Sequence, residues 1–196
     1  ERRFRAYGVA AILLGIAFLI ALFSTILARG YTAFQQSAFR LDVVLDPAAF
    51  GSATPTATEL RMADYTKIAN RAIQQALGVD TANRADARAA AQLLSENADT
   101  QIRKAVMADP GLIGKTITLS LLAHGNVDSL LKGQFDRTVP ESRRKLSDKQ
   151  LGWLDKAAAQ GILGKEFNTG IFTYGASSKP ETAGVGVALV GSLYMM

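Results

Sequence analysis

AYGVAAILLGIAFLIALFSTILA, residues 6–28, carries no charged side chain between Arg5 and Arg29. As an α-helix at about 1.5 Å per residue it is roughly 35 Å long, enough to cross a hydrocarbon core of about 30 Å with some tilt. A core helix of a soluble domain keeps a polar face, and here only Ser24 and Thr25 interrupt the apolar surface. A secretory signal has a shorter apolar region, about 7–15 residues, before a small-residue cleavage site. Ala28 is small enough to leave cleavage open, but the length favours a retained transmembrane helix. Arg2, Arg3 and Arg5 precede the span and only Arg29 follows closely. The positive-inside bias therefore puts the N-terminus in the cytoplasm and everything after Gly30 outside.

The 196 residues leave room for one further domain of a size that buries a real core. The net charge of +5 invites a nucleic-acid reading, yet from Gly30 to Ala183 there are 18 Lys and Arg against 16 Asp and Glu. Interspersed charge of this kind is a solvated surface, and no basic stripe with interleaved aromatics is present, so no nucleic-acid partner is expected. Without cysteine there is no disulfide, thiolate nucleophile or cysteine metal site. The chain opens on Glu1 instead of Met and closes inside a second uncharged run, Gly184 to Met196. Both ends suggest a piece of a longer polypeptide. The closing run is too short to span a bilayer alone, which leaves a buried strand or an amphipathic terminal helix open. Gly184, Gly186, Gly191 and Ser192 are residues that let membrane helices approach closely, and the start of a second membrane helix is the favoured reading.

Between the two runs the pattern is that of a helix-dominated α+β domain. Tyr31 and Phe34 fall where a membrane interface would sit. Phe39, Leu41, Val43 and Leu45 alternate with Arg40, Asp42 and Asp46, the mark of a half-buried strand, with Val44 out of pattern and Asp46-Pro47 as the stop. Gly51 to Thr58 reads as a loop. Met62, Tyr65, Ala69, Ile73 and Leu77 recur at helical spacing over Glu59 to Leu77, closed by Gly78 as the αL residue. Further helices are expected over Arg84 to Ser95, anchored by Leu93 and Leu94, and over Ala98 to Ala108, stopped by Asp109-Pro110. Lys115 to Ala123 reads as a strand with one wet face, His124 to Asn126 as a turn, and Val127 to Leu131 as a short helix ending at Gly133. Arg137 to Lys145 is an exposed connection. Ser147 and Gln150 form a capping-box pattern for a helix running to Gly161. Phe167, Ile171 and Phe172 suggest an edge strand interrupted by Gly170, and Gly175 to Glu181 a polar loop.

Candidate chemistry is sparse. His124 is the one histidine, and a lone histidine beside Gly125 is a turn residue before it is a ligand or base. Asp42 and Asp46, four apart on one strand face, are a weak acid–base pair. Gly175 to Lys179 and, less so, Asn126 to Lys132 have the residue types of an anion site. Gly114-Lys115-Thr116 lacks the upstream glycine of a P-loop, where Asp109 stands, and runs into a strand. Arg143-Arg144-Lys145 reads as solvated. No residue is assigned a catalytic, cofactor-binding, metal-binding or substrate-binding role.

The strings RRFRAYG (2–8), GYTAFQ (30–35), MADPGLIGKT (107–116), VPES (139–142), LSDKQ (146–150) and FNT (167–169), in this order and spacing, resemble the N-terminal part of PstA-type permease subunits of bacterial phosphate ABC transporters. More closely, they resemble the subset with a large insertion after the first membrane helix. The resemblance implies a non-catalytic inner-membrane subunit of an ATP-driven inorganic phosphate importer. It implies a second permease subunit, cytoplasmic ATPase subunits, a periplasmic phosphate-binding protein and membrane lipid as partners, and no cofactor of its own. The division expected is residues 1–29 as cytoplasmic N-terminus and transmembrane helix 1, residues 30–182 as a periplasmic α+β domain, and residues 183–196 as the start of transmembrane helix 2. The alternatives are a membrane-anchored sensory or protein-interaction domain and a signal-anchored periplasmic enzyme.

Overall fold

The computed structural model describes residues 2–52, 55–175 and 177–195. Glu1, Ala53 and Thr54 of the expected loop, Ala176, and Met196 lie outside them. The apolar run forms α1 (Arg2–Gly30), a helix of 29 residues in which every side chain from Arg2 to Ala28 is exposed. Among the described residues it is the one helix long and apolar enough to cross a membrane. A 3-10 turn (Tyr31–Phe34) then delivers the chain directly into β1 (Gln35–Val44).

β1 is the centre of the rest. It pairs antiparallel with β2 (Thr116–Leu122) on one side and with β3 (Leu163–Phe167) on the other, giving the order β2-β1-β3. Phe39, Leu41, Val43 and Leu45 point into the core with essentially no exposure, and each such burial contributes about 1.5–3 kcal/mol. Val44, the residue out of pattern, takes the wet side, 44 % exposed. Alternation thus overrides its apolar character, because the core face is already set by its neighbours.

The helices pack on this sheet. Where one helix was expected over Glu59 to Leu77 there are two, α2 (Ala57–Met62) and α3 (Tyr65–Ala76). The cause is local: the Asp64 carboxylate accepts from the Lys67 amide and starts a new helix, while the Tyr65 hydroxyl donates to the Leu60 carbonyl at 2.7 Å. Met62, expected on the apolar face, is 81 % exposed in consequence. Helix α2 begins inside the expected loop because Thr56 and Glu59 complete a capping box. Gly78 has the expected left-handed backbone, φ 63°.

Helix α4 (Arg84–Ala91) stops short of Leu93 and Leu94. Leu93 reaches the core from the turn that closes the helix and Leu94 from a bridge to Ala123, after which the Ser95 amide donates to Leu122 O at 2.9 Å. Helix α5 (Ala98–Ala108) has the expected limits and buries Ala98, Ile102 and Val106. Helix α6 (Gly125–Leu131) follows the His124 turn. Helix α7 (Asp148–Ala159) starts at the Ser147–Gln150 capping box, and the buried Gln150 also donates to Ala89 O at 2.8 Å, tying α7 to α4.

The expected edge strand at Phe167 to Phe172 is displaced. Pairing runs over Leu163–Phe167, and Gly170–Thr173 forms the helical turn α8. The Asn168 carbonyl oxygen of the side chain accepts from the Ile171 amide at 3.1 Å and diverts the backbone from the ladder. The closing apolar run is helical, α9 (Gly186–Tyr194), with Val187, Val190, Leu193, Tyr194 and Met195 exposed.

Candidate functional site

The sheet brings both apolar helices to one place. Gln35 faces Phe167 in the β1–β3 ladder, the Asn168 amide donates to Phe34 O at 2.8 Å, and the Phe34 and Phe172 rings stack with centroids 6.3 Å apart. Helix α9 is fixed to the same corner by backbone bonds, Val185 N to Ile171 O at 2.8 Å and Gly184 N to Gly175 O at 3.0 Å. Contact here is backbone on backbone. A Cβ on Gly184 would collide with the Tyr174 carbonyl, and one on Gly186 would stand 2.6 Å from Phe172 O. Gly184 and Gly186, read from sequence as a helix-packing stripe, are spent inside the chain's own junction, whereas Gly191 borders open space.

Beneath this corner lies a cavity of about 330 Å³ between Thr32, Ala33, Gln36, Asp128, Lys132 and Val185. Its wall is a polar network of which the sequence marked only the Asn126 to Lys132 segment, and that as an anion site. Asp128 Oδ1 accepts from both the Ser37 amide and hydroxyl at 2.9 Å, and Oδ2 pairs with Lys132 Nζ at 2.6 Å, with side-chain exposures of 17 % and 12 %. The network clamps α6 to β1 at the start of the strand. Gln36 Oε1, on the opposite face of β1 to Ser37, is buried with no hydrogen-bond partner.

A cleft of about 520 Å³ opens between α3, α4, α5 and the His124 turn. Arg88, Lys145, Glu96, Asp99, Asn70 and His124 are among the residues that line it. The mixed charge suits a polar or zwitterionic group better than a simple anion. His124 is the N-cap of α6: its Nδ1 accepts from the Asn126 amide at 3.1 Å. Ser95, the neighbouring hydroxyl, accepts from the Asn97 amide at 3.3 Å and donates to Glu181 at 3.4 Å. Neither is arranged as a nucleophile and its base. Among the described residues no group of three His, Cys, Asp or Glu side chains gathers in a way that would hold a metal ion.

The remaining candidates have structural tasks. Asp42 accepts from the Thr118 hydroxyl at 2.7 Å on the wet face of the sheet, and Asp46 caps the 3-10 turn Pro47–Phe50 through the Ala48 amide. The two carboxylates do not work as a pair. Lys179 is paired with Glu96, which holds that carboxyl below the ordinary glutamate value through the hydrogen bond and charge of Lys179 and, less, of His124. Lys132 is committed to Asp128. Gly114 is a left-handed turn residue, φ 84°, leading into β2. The basic triplet is only partly solvated. Arg144 is 6 % exposed and pairs with Asp148, whose carboxyl it holds below the ordinary aspartate range. Its guanidinium reaches the Asp148 carboxylate in the first turn of α7, and its Nε is buried without a hydrogen-bond partner.

No curated protein and no solved structure matches the chain. A family model described as a domain of unknown function, DUF3333, matches residues 1–141, from α1 through β1 and β2 to the turn after α6. Both α1 and the β1–β2 pair lie inside that match and β3 lies beyond it, so most of this architecture is the family's own: the chain belongs to the DUF3333 family.

Proposed function

We propose that this chain is the first membrane helix and extracytoplasmic domain of the permease subunit of an ATP-driven phosphate importer, with the second membrane helix beginning at α9. In this reading α1 spans the inner membrane with its N-terminus in the cytoplasm, and residues 30–182 stand in the periplasm. The observation that carries it is the Gln35–Phe167 pairing. An insertion between two consecutive spans must leave and re-enter the bilayer at one place, and the ladder with the bonds beside it brings the end of α1 and the start of α9 to one corner of the domain. A helix of 29 residues with no side chain covered between Arg2 and Ala28 also needs an apolar surrounding that the domain does not supply. The resemblance of the quoted strings to PstA-type permeases supplies the substrate and the partners: a second permease subunit, ATPase subunits and a periplasmic phosphate-binding protein. The role assigned to the domain is docking of that binding protein or restraint of the outward gate.

The test is phosphate uptake by cells in which residues Gln36 to Lys179 of the full-length protein are replaced by a short linker. Loss of uptake or of binding-protein association, with the helices still inserted, is expected. Unchanged uptake with intact association overturns the docking and gating role, and uptake that never depended on this subunit overturns the transporter reading. The mixed-charge cleft at His124 favours a second reading, a membrane-anchored sensory domain for a small polar ligand, and thermal stabilisation by such a ligand but not by a binding protein would support it.

A further inference from the structure

The corner where α1 and α9 leave the domain also carries large exposed apolar side chains. Tyr31 is 57 % exposed, Phe34 43 %, Phe167 61 %, Phe172 55 % and Val185 43 %. They sit on adjoining segments: Tyr31 opens the turn that ends at Phe34, Phe34 stacks on Phe172, Phe167 ends the strand paired with Gln35, and Val185 is bonded to the α8 turn. Four aromatic rings held open on one corner, by a sheet end and two short turns, are not left over from a core. The buried residues lie further along β1, from Ser37 onward.

We infer that this corner is a seat on the lipid bilayer, its rings entering the headgroup zone so that the domain rests on the membrane instead of swinging from a single helix. The inference rests on the membrane reading of α1 and adds a surface to it. The occupant is fixed by covalent continuity: Tyr31 follows directly on the last residue of α1. With about 30 Å of hydrocarbon over residues 8–28, Tyr31 stands about 5 Å and Phe34 about 11 Å outside it along the axis. The headgroup zone is about 5–8 Å deep on each side, so Tyr31 is within it and Phe34 within side-chain reach of it. Phe172, stacked on Phe34, shares that depth. Aromatic residues are the side chains that favour this layer.

The experiment uses the native tryptophan count of one. In a Trp153→Phe background, tryptophan is placed singly at Phe172, at Phe34, and at Leu14 in the middle of α1, and the full chain is reconstituted in nanodiscs with lipid brominated on the upper acyl chain. Emission at 172 and at 34 is expected to fall relative to unbrominated lipid, less than at 14 and well beyond the unsubstituted Trp153. Quenching at 14 with none at 172 and 34 overturns the seat while leaving the span intact, and means that water, a second copy or a partner protein covers the corner. No quenching at any of the three overturns both.

Discussion

Gln35 and Phe167 face each other across the antiparallel ladder, although the whole domain is threaded between them. In a chain without cysteine, a Gln35→Cys/Phe167→Cys pair is expected to form a single disulfide on mild oxidation, since directly opposed strand residues have Cα atoms about 4.5–5.5 Å apart. Proteolytic nicking of the exposed Arg137–Lys145 connection should then give two fragments that separate on a denaturing gel only after reduction. Free separation without reductant would show that the two helices do not leave the domain together.

Gly184→Ala forces a methyl group onto the Tyr174 carbonyl. The expected cost is about 1–3 kcal/mol, as for other forced close contacts, read as faster hydrogen exchange of the Val185 and Tyr174 amides. Gly191→Ala, which meets nothing within 4 Å, should leave exchange unchanged. Equal effects at the two positions would remove the packing argument.

Asp128→Ala strips the partner from Lys132 and from two donors of Ser37. Breaking a largely buried pair of this kind costs about 3–5 kcal/mol, measured as a shift of the denaturant midpoint without a change of slope. Adding Lys132→Met should recover part of the loss, because the uncompensated ammonium goes with it. An additive double mutant would show that the two side chains do not interact.

The Glu96–Lys179 pair ties the segment before α9 to the α4–α5 connection. Lys179 depresses the Glu96 carboxyl below its ordinary value of 4.5. A depressed folded-state value means that the tether is fully present above pH 4.5 and is lost as pH falls through the lower folded value. Acidification should therefore lower the protection factor of the Thr182 amide, its exchange rate being compared with the intrinsic rate at the same pH, while in Lys179→Gln that factor should not change with pH over the same window.

Gln150→Ala removes both a capping-box acceptor and the donor to the Ala89 carbonyl. A loss of about 1–2 kcal/mol is expected from the cap and the unpaired buried carbonyl together. Thermal unfolding checks it, with Lys156→Ala as the control for the exposed α7 surface.

Wherever local chemistry decides structure, the sequence could be read. The uncharged run, the alternation at Phe39 to Leu45, the Asp109-Pro110 stop and the Ser147–Gln150 box each act within a few residues, and each has its expected outcome in the fold. What could not be read depends on distant partners. β3 contains Gly164, Lys165 and Glu166 and buries only Leu163, so it is a strand because β1 offers it an edge and not because of its own pattern. The helix break at Asp64 is masked by apolar spacing that continues across it, and is imposed by a cap and by the Tyr65 hydroxyl on Leu60. At the candidate site the aromatic corner was half legible: Tyr31 and Phe34 follow the apolar run in sequence, whereas Phe167 and Phe172 join them only through the sheet. The link from Asp128 to Ser37 was invisible, since the two lie 91 residues apart.

The central place of β1 also sets a timetable. It is the first of the three strands to leave the ribosome, directly behind the apolar helix, yet its neighbours are made roughly eighty and roughly a hundred and thirty residues later. Until then a run with Phe39, Leu41, Val43 and Leu45 on one face waits with both edges open, the state most prone to pairing with the wrong chain. Early anchorage through α1 would separate nascent copies during that interval, so expression of the domain from Gln35 onward, without the helix, should give a larger share of insoluble protein than expression of the whole chain.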